Sequence, residues 1–319
     1  MSVLIYAESE NGSIRKGAFE IASYAKGVAD ALGTTVTAVV INTNDVSALG
    51  QYGVSKVLQV SDDSLKNFTA KSYAAVVTEA AKAEGAQVVV LSSSTDSKYL
   101  APLAGVALNA AVASNVVALP KSTNPFVVER TAFTNKAFQN TQLNSELKII
   151  CVSNNAYGVH ESATDLVTEA FTPSVQAGGV EVISIDKATD KVSIADADIV
   201  VSGGRGLKGP ENWNLIEDLA SVLGAATACS KPVSDMGWRP HSEHVGKTGK
   251  PVASNLYIAI GVSGAIQHLA GINSSKVKVV INNDPEAPFF KAADYGIVGD
   301  AFEVVPELIE KLKAFKSAN

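Results

Sequence analysis

The sequence contains little cysteine and few aromatic residues, and both shortages limit what the protein can be. It has 2 cysteines among 319 residues, and aromatic residues make up 6% of the chain. Cys151 and Cys229 are too far apart for a metal-binding spacing, so we expect two buried, reduced thiols and no metal site. Because aromatic side chains are scarce, Ala, Val, Leu and Ile must fill most of the core, which suits helices packed against a parallel sheet.

The sequence also has no strong excess of positive or negative charge and no long apolar runs. The chain has 26 basic and 32 acidic residues, a net charge of −6, and no basic stripe that would make nucleic acid its main partner. Its apolar runs, such as Val88–Leu91 and Leu256–Ile260, are far shorter than the roughly 18 residues of a membrane helix. The first residues, MSVLIYAE, enter a strand-like run without a preceding basic segment. We therefore expect no signal or transit peptide and no membrane-embedded part.

The order of apolar segments indicates an α/β chain of about two domains. Val3–Tyr6 is strand-like, Ala18–Leu32 has the apolar spacing of a helix, and Thr35–Ile41 is strand-like again. Such alternation predicts parallel strands joined by helical crossovers. The other elements predicted in this way are strands at Lys56–Val60, Gln87–Leu91, Leu147–Val152 and Ala197–Ser202, and helices at Ala70–Glu84 and Ala101–Ala113.

Two segments depart from this alternation. Phe126–Asn144 is polar with aromatic residues at intervals, and we interpret it as antiparallel strands or an excursion at the sheet edge. Thr172–Lys191 has turn chemistry without long periodicity, so we place the domain boundary there, between residues 186 and 187. Glycine becomes denser after this boundary, and glycine is needed where the backbone approaches a ligand closely. We therefore expect the ligand site in the second domain.

The first glycine-rich turn, Gly204–Gly209, has the spacing G-x-G-x-x-G between a strand-like and a helix-like run. Such a turn binds the phosphates of a dinucleotide when it opens a helix. A nicotinamide-dependent dehydrogenase also needs an acidic residue at the end of the next strand, and that strand reaches Ser230 and Lys231 without one. The turn is therefore either a phosphate-binding turn or one that only packs a helix on a strand.

A second glycine-rich turn follows the apolar run Leu256–Ile260 and leads into a helix-like segment. Backbone N–H groups at a helix start favour a phosphate, and Gly264 would let them approach it. His268 lies about one turn into this helix. The sequence therefore predicts a second phosphate-type turn with an imidazole beside it.

The remaining polar motifs predict no chemistry of their own. Val245–Gly249 contains Gly-Lys-Thr, but His241 stands where a P-loop requires glycine. His241, Glu243 and His244 lack the H-E-x-x-H order, and Pro240 argues against a helix, so we expect a solvated loop. The sequence has no nucleophile elbow and no catalytic acid–base pair. A ligand site without such side chains leaves the chemistry to a cofactor.

Five segments of the second half resemble the α subunits of electron transfer flavoproteins. They are, in order, VVSGGRGLKGPENW, VGKTG, LYIAIGVSGAIQHLAGI, VVINNDPEAPFFKAADYGIVGD and VVPEL. The resemblance implies two domains, each a mainly parallel sheet flanked by helices. Residues 1–186 would form a nucleotide-hydrolase-like scaffold that holds no cofactor and contacts a β subunit. Residues 187–319 would form a Rossmann-like, FAD-binding domain.

The resemblance also implies which residues contact FAD. Ser263–Gln267 would cradle the pyrophosphate and ribose, His268 would face O2 of the flavin, and the Thr248 hydroxyl would lie near N5. Lys231 and Lys247 stand where the family usually has Arg and Gln. The full implied set is Arg205, Ser230, Lys231, Val245, Gly246, Lys247, Thr248, Ser263, Gly264, Ala265, Ile266, Gln267, His268, Asn282, Asp300 and Ala301.

The function implied by the resemblance is electron transport, without substrate turnover of its own. A single FAD on this subunit would accept electrons from acyl-CoA and related flavin dehydrogenases, as in fatty acid β-oxidation. It would pass them to a membrane quinone oxidoreductase. The chain would pair with a β subunit that holds AMP or a second FAD, in the bacterial cytoplasm. A nicotinamide-dependent dehydrogenase and a non-redox scaffold remain as alternatives.

Overall fold

A computed structural model describes residues 2–133, 135–175, 179–180, 182–185, 193–194 and 197–318. The chain divides into two compact units, Met1–Asp186 and Lys187–Asn319, called unit 1 and unit 2 below. The predicted boundary between residues 186 and 187 lies outside the described residues. Each unit is a mainly parallel sheet flanked by helices, which confirms the predicted α/β class.

Unit 1 is built on one large sheet and one small hairpin. Its strands are β1 (Ser2–Tyr6), β2 (Ser9–Glu10), β3 (Ser13–Ile14), β4 (Thr35–Ile41), β5 (Val54–Val60), β6 (Ala86–Ser92), β7 (Ala111–Val116), β8 (Ser122–Thr123), β9 (Phe126–Ala132), β10 (Ala137–Gln142), β11 (Lys148–Val152) and β12 (Val167–Ala170). The large sheet has the order β10-β9-β7-β11-β6-β1-β4-β5-β12, with β8 beside β9, and β2 pairs with β3. Along the sheet, the neighbouring strands in the run β7-β11-β6-β1-β4-β5-β12 are all parallel. Strand β9 is antiparallel to β7, β8 and β10. The prediction of antiparallel strands at the sheet edge is therefore confirmed.

Helices cover both faces of the central strands of unit 1. They are α1 (Lys16–Leu32), α2 (Ala70–Ala83) and α3 (Thr95–Leu108). In β1, Val3 and Ile5 pack with residues of α1, whereas Leu4 and Tyr6 pack on the opposite side with residues of α2 and α3. A parallel strand that is buried on both faces has a continuous apolar sequence. Strand β1 could therefore be predicted from its continuous apolar run, although its sequence does not alternate between apolar and polar residues.

The predicted helix at Ala101–Ala113 is wrong in its bounds. Helix α3 ends at Leu108, where Asn109 takes the left-handed conformation with φ 49° and caps it. Strand β7 begins shortly afterwards, at Ala111. Small apolar residues continue without a break through this junction, so periodicity alone could not locate the end of the helix.

Among the described residues of unit 2, the sheet has five strands, and all neighbouring pairs are parallel. The strands are β13 (Ile199–Gly203), β14 (Ala226–Cys229), β15 (Leu256–Ile260), β16 (Val277–Asn282) and β17 (Tyr295–Val298). The helices are α4 (Asn214–Leu223), α5 (Lys231–Asp235), α6 (Ile266–Ile272) and α7 (Ala301–Ala318). The sheet order is β14-β13-β15-β16-β17, so the progression of strands changes direction between β13 and β15. In open α/β sheets, ligands bind outside the carboxyl ends of the strands at such a reversal.

The two cysteines lie in the cores of the two sheets. Cys151 belongs to β11 and Cys229 to β14, and both are buried free thiols, as predicted. Burial raises the pKa of each thiol to about 12, so neither is a reactive thiolate at neutral pH. No helix in the described part of the chain combines the length and the apolar character needed to cross a bilayer.

Candidate functional site

The residues predicted to contact a ligand lie at the carboxyl ends of the strands of unit 2. Arg205 follows β13, Ser230 follows β14 directly, and Ser263–His268 follow β15. Asn282 is the last residue of β16, and Asp300 follows β17. Because all five strands are parallel, these ends form one edge of the sheet. The structure thus brings the predicted residues together at the edge where α/β sheets bind ligands.

The first glycine-rich turn packs backbone against backbone on the second one. The N–H of Gly204 donates to the Ile260 carbonyl at 2.9 Å, and that of Gly206 donates to the Gly261 carbonyl at 3.0 Å. A Cβ atom at position 204 would lie 2.1 Å from the Gly261 oxygen, and one at position 206 would lie 2.6 Å from the Gly261 Cα atom. Both glycines are therefore required by the close approach of the two turns.

The same turn does not open a helix. After Gly209, a short 3-10 turn at Pro210–Asn212 precedes α4, which begins at Asn214. The residue after β14 is Ser230, so an acidic residue that would hold a ribose is missing there. Both observations disfavour the nicotinamide-dependent alternative, whose phosphate turn leads straight into its helix.

The second glycine-rich turn offers main-chain donors at the carboxyl edge. In the described part of the chain, none of the backbone N–H groups of residues 263–267 donates to another protein group. Gly264 has φ +83°, and a Cβ atom there would lie 2.4 Å from the Phe289 nitrogen. The missing side chain at position 264 thus leaves room for the Phe289 backbone. The main-chain N–H groups of residues 263–267, which have no acceptor in the described part of the chain, form a cradle that suits an anion.

The segment Val245–Thr248 is held beside this turn by main-chain hydrogen bonds. The N–H of Val245 donates to the Cys229 carbonyl at 3.0 Å, next to Ser230. The N–H of Lys247 donates to the Gln267 carbonyl at 2.8 Å. The side chains of Lys247 and Thr248 are exposed. Three separate predicted segments therefore meet in one continuous surface.

His268 is the most constrained polar side chain of the site. It is 6% exposed, and its Nε2 atom is 2.9 Å from the Tyr257 hydroxyl, whereas its Nδ1 atom is buried without a partner. Burial, with a smaller effect of His244, lowers the pKa of His268 to about 4. The imidazole is therefore neutral at pH 7, with one nitrogen held by the protein and one unused.

The three cationic side chains predicted at the site, Arg205, Lys231 and Lys247, are exposed. Arg205 follows the Gly204 turn, and Lys231 is the first residue of α5, where it pairs with Asp235 one helical turn away. A further lysine, Lys208, lies 3.7 Å from the Asp300 carboxylate and 4.7 Å from the centre of the Phe302 ring. Lys231 and Lys208 therefore each pair with a carboxylate of unit 2.

Asn282 and Asp300, which the resemblance assigns to the adenosine part of FAD, also shape the backbone. The Asn282 amide donates to the Val262 carbonyl at 3.1 Å, and its oxygen accepts from the Asp284 N–H at 3.0 Å. Asp300 accepts from the Phe302 N–H at 2.9 Å and so caps α7, which begins with the buried Ala301. The side chain of Asn282 thus fixes the loop that precedes Ser263.

The expected solvated loop at His241–His244 is wrong for two of its residues. Glu243 is 5% exposed and His244 is 2% exposed, whereas His241 is exposed. Glu243 accepts two hydrogen bonds from Arg239, both of 2.8 Å, and the Arg239 guanidinium lies over the Trp213 ring at 5.4 Å. This long-range packing buries the segment. Among the described residues, no group of three His, Cys, Asp or Glu side chains is placed to hold a metal ion.

These features fit a dinucleotide cofactor. The main-chain cradle at residues 263–267 suits a pyrophosphate, and the unpartnered, buried Nδ1 atoms of His244 and His268 need hydrogen-bond partners that the chain does not supply. Sequence reasoning did not connect Tyr257 or Arg239 with the site, and it assigned His244 to a solvated loop. Of these, only Tyr257 was in a recognised element, and nothing local predicts its contact with His268.

Comparisons with known proteins identify the family of the chain. Residues 3–188 match the electron transfer flavoprotein domain, and residues 193–273 match the electron transfer flavoprotein FAD-binding domain. Electron transfer flavoprotein subunit alpha of Thermoanaerobacterium thermosaccharolyticum is 35% identical over 324 residues, with 98% of each chain covered. The subunit alpha of Paracoccus denitrificans is 36% identical over 322 residues, with 98% of this chain and 100% of that one covered. The subunit alpha of Bacillus subtilis is 34% identical over 318 residues, with 98% of this chain and 97% of that one covered. The chain therefore belongs to the family of electron transfer flavoprotein α subunits.

Proposed function

We propose that this chain carries one FAD at the carboxyl edge of unit 2 and works as the α subunit of a heterodimeric electron carrier. It accepts electrons from acyl-CoA and related flavin dehydrogenases and delivers them to a membrane quinone oxidoreductase. The observation that carries the proposal is the site itself, which has phosphate-type donors and neutral imidazoles but no catalytic side-chain pair. Bound FAD supplies the electron chemistry, and the residues of this chain bind and orient it.

Each part of the edge has a role in this proposal. The N–H groups of residues 263–267 hold the pyrophosphate, and Arg205 adds positive charge beside them. The segment Val245–Thr248 and Ser230 line the ring, and Asn282 and Asp300 hold the adenosine part. Donation of the Tyr257 hydroxyl proton to Nε2 of His268 places the ring proton on Nδ1. That unpartnered atom is then a donor toward FAD.

Unit 1 is the scaffold that contacts the β subunit in this proposal, and the β subunit holds AMP or a second FAD. Support comes from the outer face of α3. Tyr99, Leu103 and Val106 lie three to four residues apart on one side of this helix, and their side chains are 64%, 43% and 85% exposed. Neighbouring apolar side chains left exposed in this way are typical of a surface that a partner covers.

The proposed function is tested by the visible spectrum of the full chain purified together with its β subunit. We expect the absorption of oxidised flavin, and denaturation should release one FAD more than the β subunit holds by itself. A nicotinamide cofactor on this chain would add no visible absorption to that of the β subunit, and a scaffold would add no cofactor. Either of those two results contradicts the proposal.

Replacing His268 by alanine should lower the reduction potential of bound FAD. Reduced FAD carries more negative charge than oxidised FAD, so a donor at Nδ1 stabilises the reduced state more. Loss of one such hydrogen bond should shift the potential by about 60 mV for one electron, a tenfold change in the equilibrium. Potentiometric titration measures this shift, and FAD affinity should change less.

Two further variants serve as controls in that titration. His160→Ala removes an exposed imidazole of unit 1 and should leave the potential unchanged. Tyr257→Phe keeps His268 but removes the hydroxyl that orients it, so it should give part of the shift. If His268→Ala and wild type have the same potential, His268 does not contact FAD.

A further inference from the structure

His244 lies inside the turn that joins the predicted flavin-binding segments. Its carbonyl accepts from the Lys250 N–H at 2.8 Å, which closes the turn Val245–Gly249. A Cβ atom at position 249 would lie 2.9 Å from the His244 ring carbon Cγ, and one at position 246 would lie 3.5 Å from its Nε2 atom. The imidazole therefore lies close to both glycines of the turn, Gly246 and Gly249.

The surroundings of this imidazole favour its neutral form. His244 is 2% exposed, and its Nδ1 atom is buried without a partner. Burial, His241 and Lys231 lower the pKa of His244, and Asp235 opposes them. The titratable groups that face it are Lys231 and Asp235 on α5, His241 on its own segment and His268 on α6. Its backbone pairs with that of Cys229 at the end of β14.

We propose that His244 is a positioning residue of the FAD site, whose neutral imidazole holds the turn Val245–Gly249 in the conformation that binds FAD. This inference rests on the proposed function. A protonated ring would donate hydrogen bonds from both of its nitrogens, and the described part of the chain offers no acceptor to Nδ1. It would also set a second cation beside Lys231. The turn would have to open to hydrate that charge, and the ring-lining residues 245–248 would move with it.

Protonation of His244 and FAD binding should therefore oppose each other. By linkage, a ligand that requires the neutral imidazole lowers the pKa of that imidazole, and acidification weakens the ligand by the same factor. A further lowering by one pKa unit on binding corresponds to a factor of ten in affinity. This coupling is a property that a purely structural histidine does not have.

The experiment measures the dissociation constant of FAD for the full chain in complex with its β subunit, between about pH 7.5 and about pH 5. We expect the wild-type affinity to fall as the pH falls, by up to about tenfold across this range. His244→Gln keeps a neutral polar side chain that cannot be protonated, so its affinity should stay within about twofold of its own neutral-pH value. His160→Gln is the matched control at an exposed imidazole of unit 1 and should retain the wild-type pH dependence.

A second measurement avoids any loss of folding in the variant. The titration of the His244 ring is followed by NMR in wild-type complex with and without FAD, and its pKa should be lower with FAD bound. Equal pKa values, or a His244→Gln variant with the wild-type pH dependence, would overturn the positioning role. If wild type binds no FAD at any pH, the proposed function itself fails, and this result is separate from the other two.

Discussion

Gly204→Ala should destabilise unit 2 by more than about 4 kcal/mol, a large part of the stability of an ordinary domain. The added methyl carbon would lie 2.1 Å from the Gly261 oxygen and 2.6 Å from its carbonyl carbon. These are backbone atoms, and the Gly204 N–H is itself bonded to the Ile260 carbonyl at 2.9 Å. Neither turn can move aside without losing the hydrogen bonds that join β13 to β15. Denaturant unfolding followed by tryptophan fluorescence measures the effect, because the 2 tryptophans, Trp213 and Trp238, both lie in unit 2.

Gly209→Ala is the matched control within the same motif. Gly209 has an extended φ of −174°, which any residue adopts, and an added Cβ atom would meet only the end of the Glu211 side chain. We expect a loss below about 1 kcal/mol, since a flexible side chain can swing away. In a dinucleotide turn of the Rossmann type, by contrast, the last glycine is needed for close packing of helix on strand. Equal losses for the two variants would contradict the packing seen here.

Much of the fold could be predicted because the deciding signals are local. The predicted strand Thr35–Ile41 coincides with β4, and the predicted helix Ala18–Leu32 lies within α1. Strands buried on both faces give unbroken apolar runs, and helices between them show their own period. Ser230 and Asn282 were predicted as site residues only through the family resemblance, and the structure places both at the carboxyl ends of parallel strands.

The sequence could not predict contacts made by residues that are distant along the chain. Glu243 bonds to Arg239, which is only four residues away, but the Arg239 guanidinium packs over the Trp213 ring, which is distant along the chain. The pairing of His268 with Tyr257 joins a helix to the strand before it, and no periodicity encodes it. The role of Gly204 was visible only as a motif, whereas the structure shows that the Gly261 backbone is what requires it.

Acidification should weaken unit 2 through His268. In the folded chain its pKa is lowered to about 4, whereas an unfolded histidine has a value near 6.5. At a pH between these two pKa values, His268 is protonated in the unfolded chain but not in the folded chain. The free energy of unfolding therefore falls as the pH falls. This contribution is intact above about pH 6.5, and the loss between about pH 7 and about pH 4.5 should be about 2 kcal/mol.

His268→Gln keeps a polar group near Tyr257 but cannot titrate, so its unfolding free energy should fall less over the same range. Denaturant unfolding of both proteins, without FAD and followed by tryptophan fluorescence, gives the difference. Parallel losses in the two proteins would mean that the imidazole is not held neutral by burial. His268 could then not be the neutral donor that the proposed electron carrier requires.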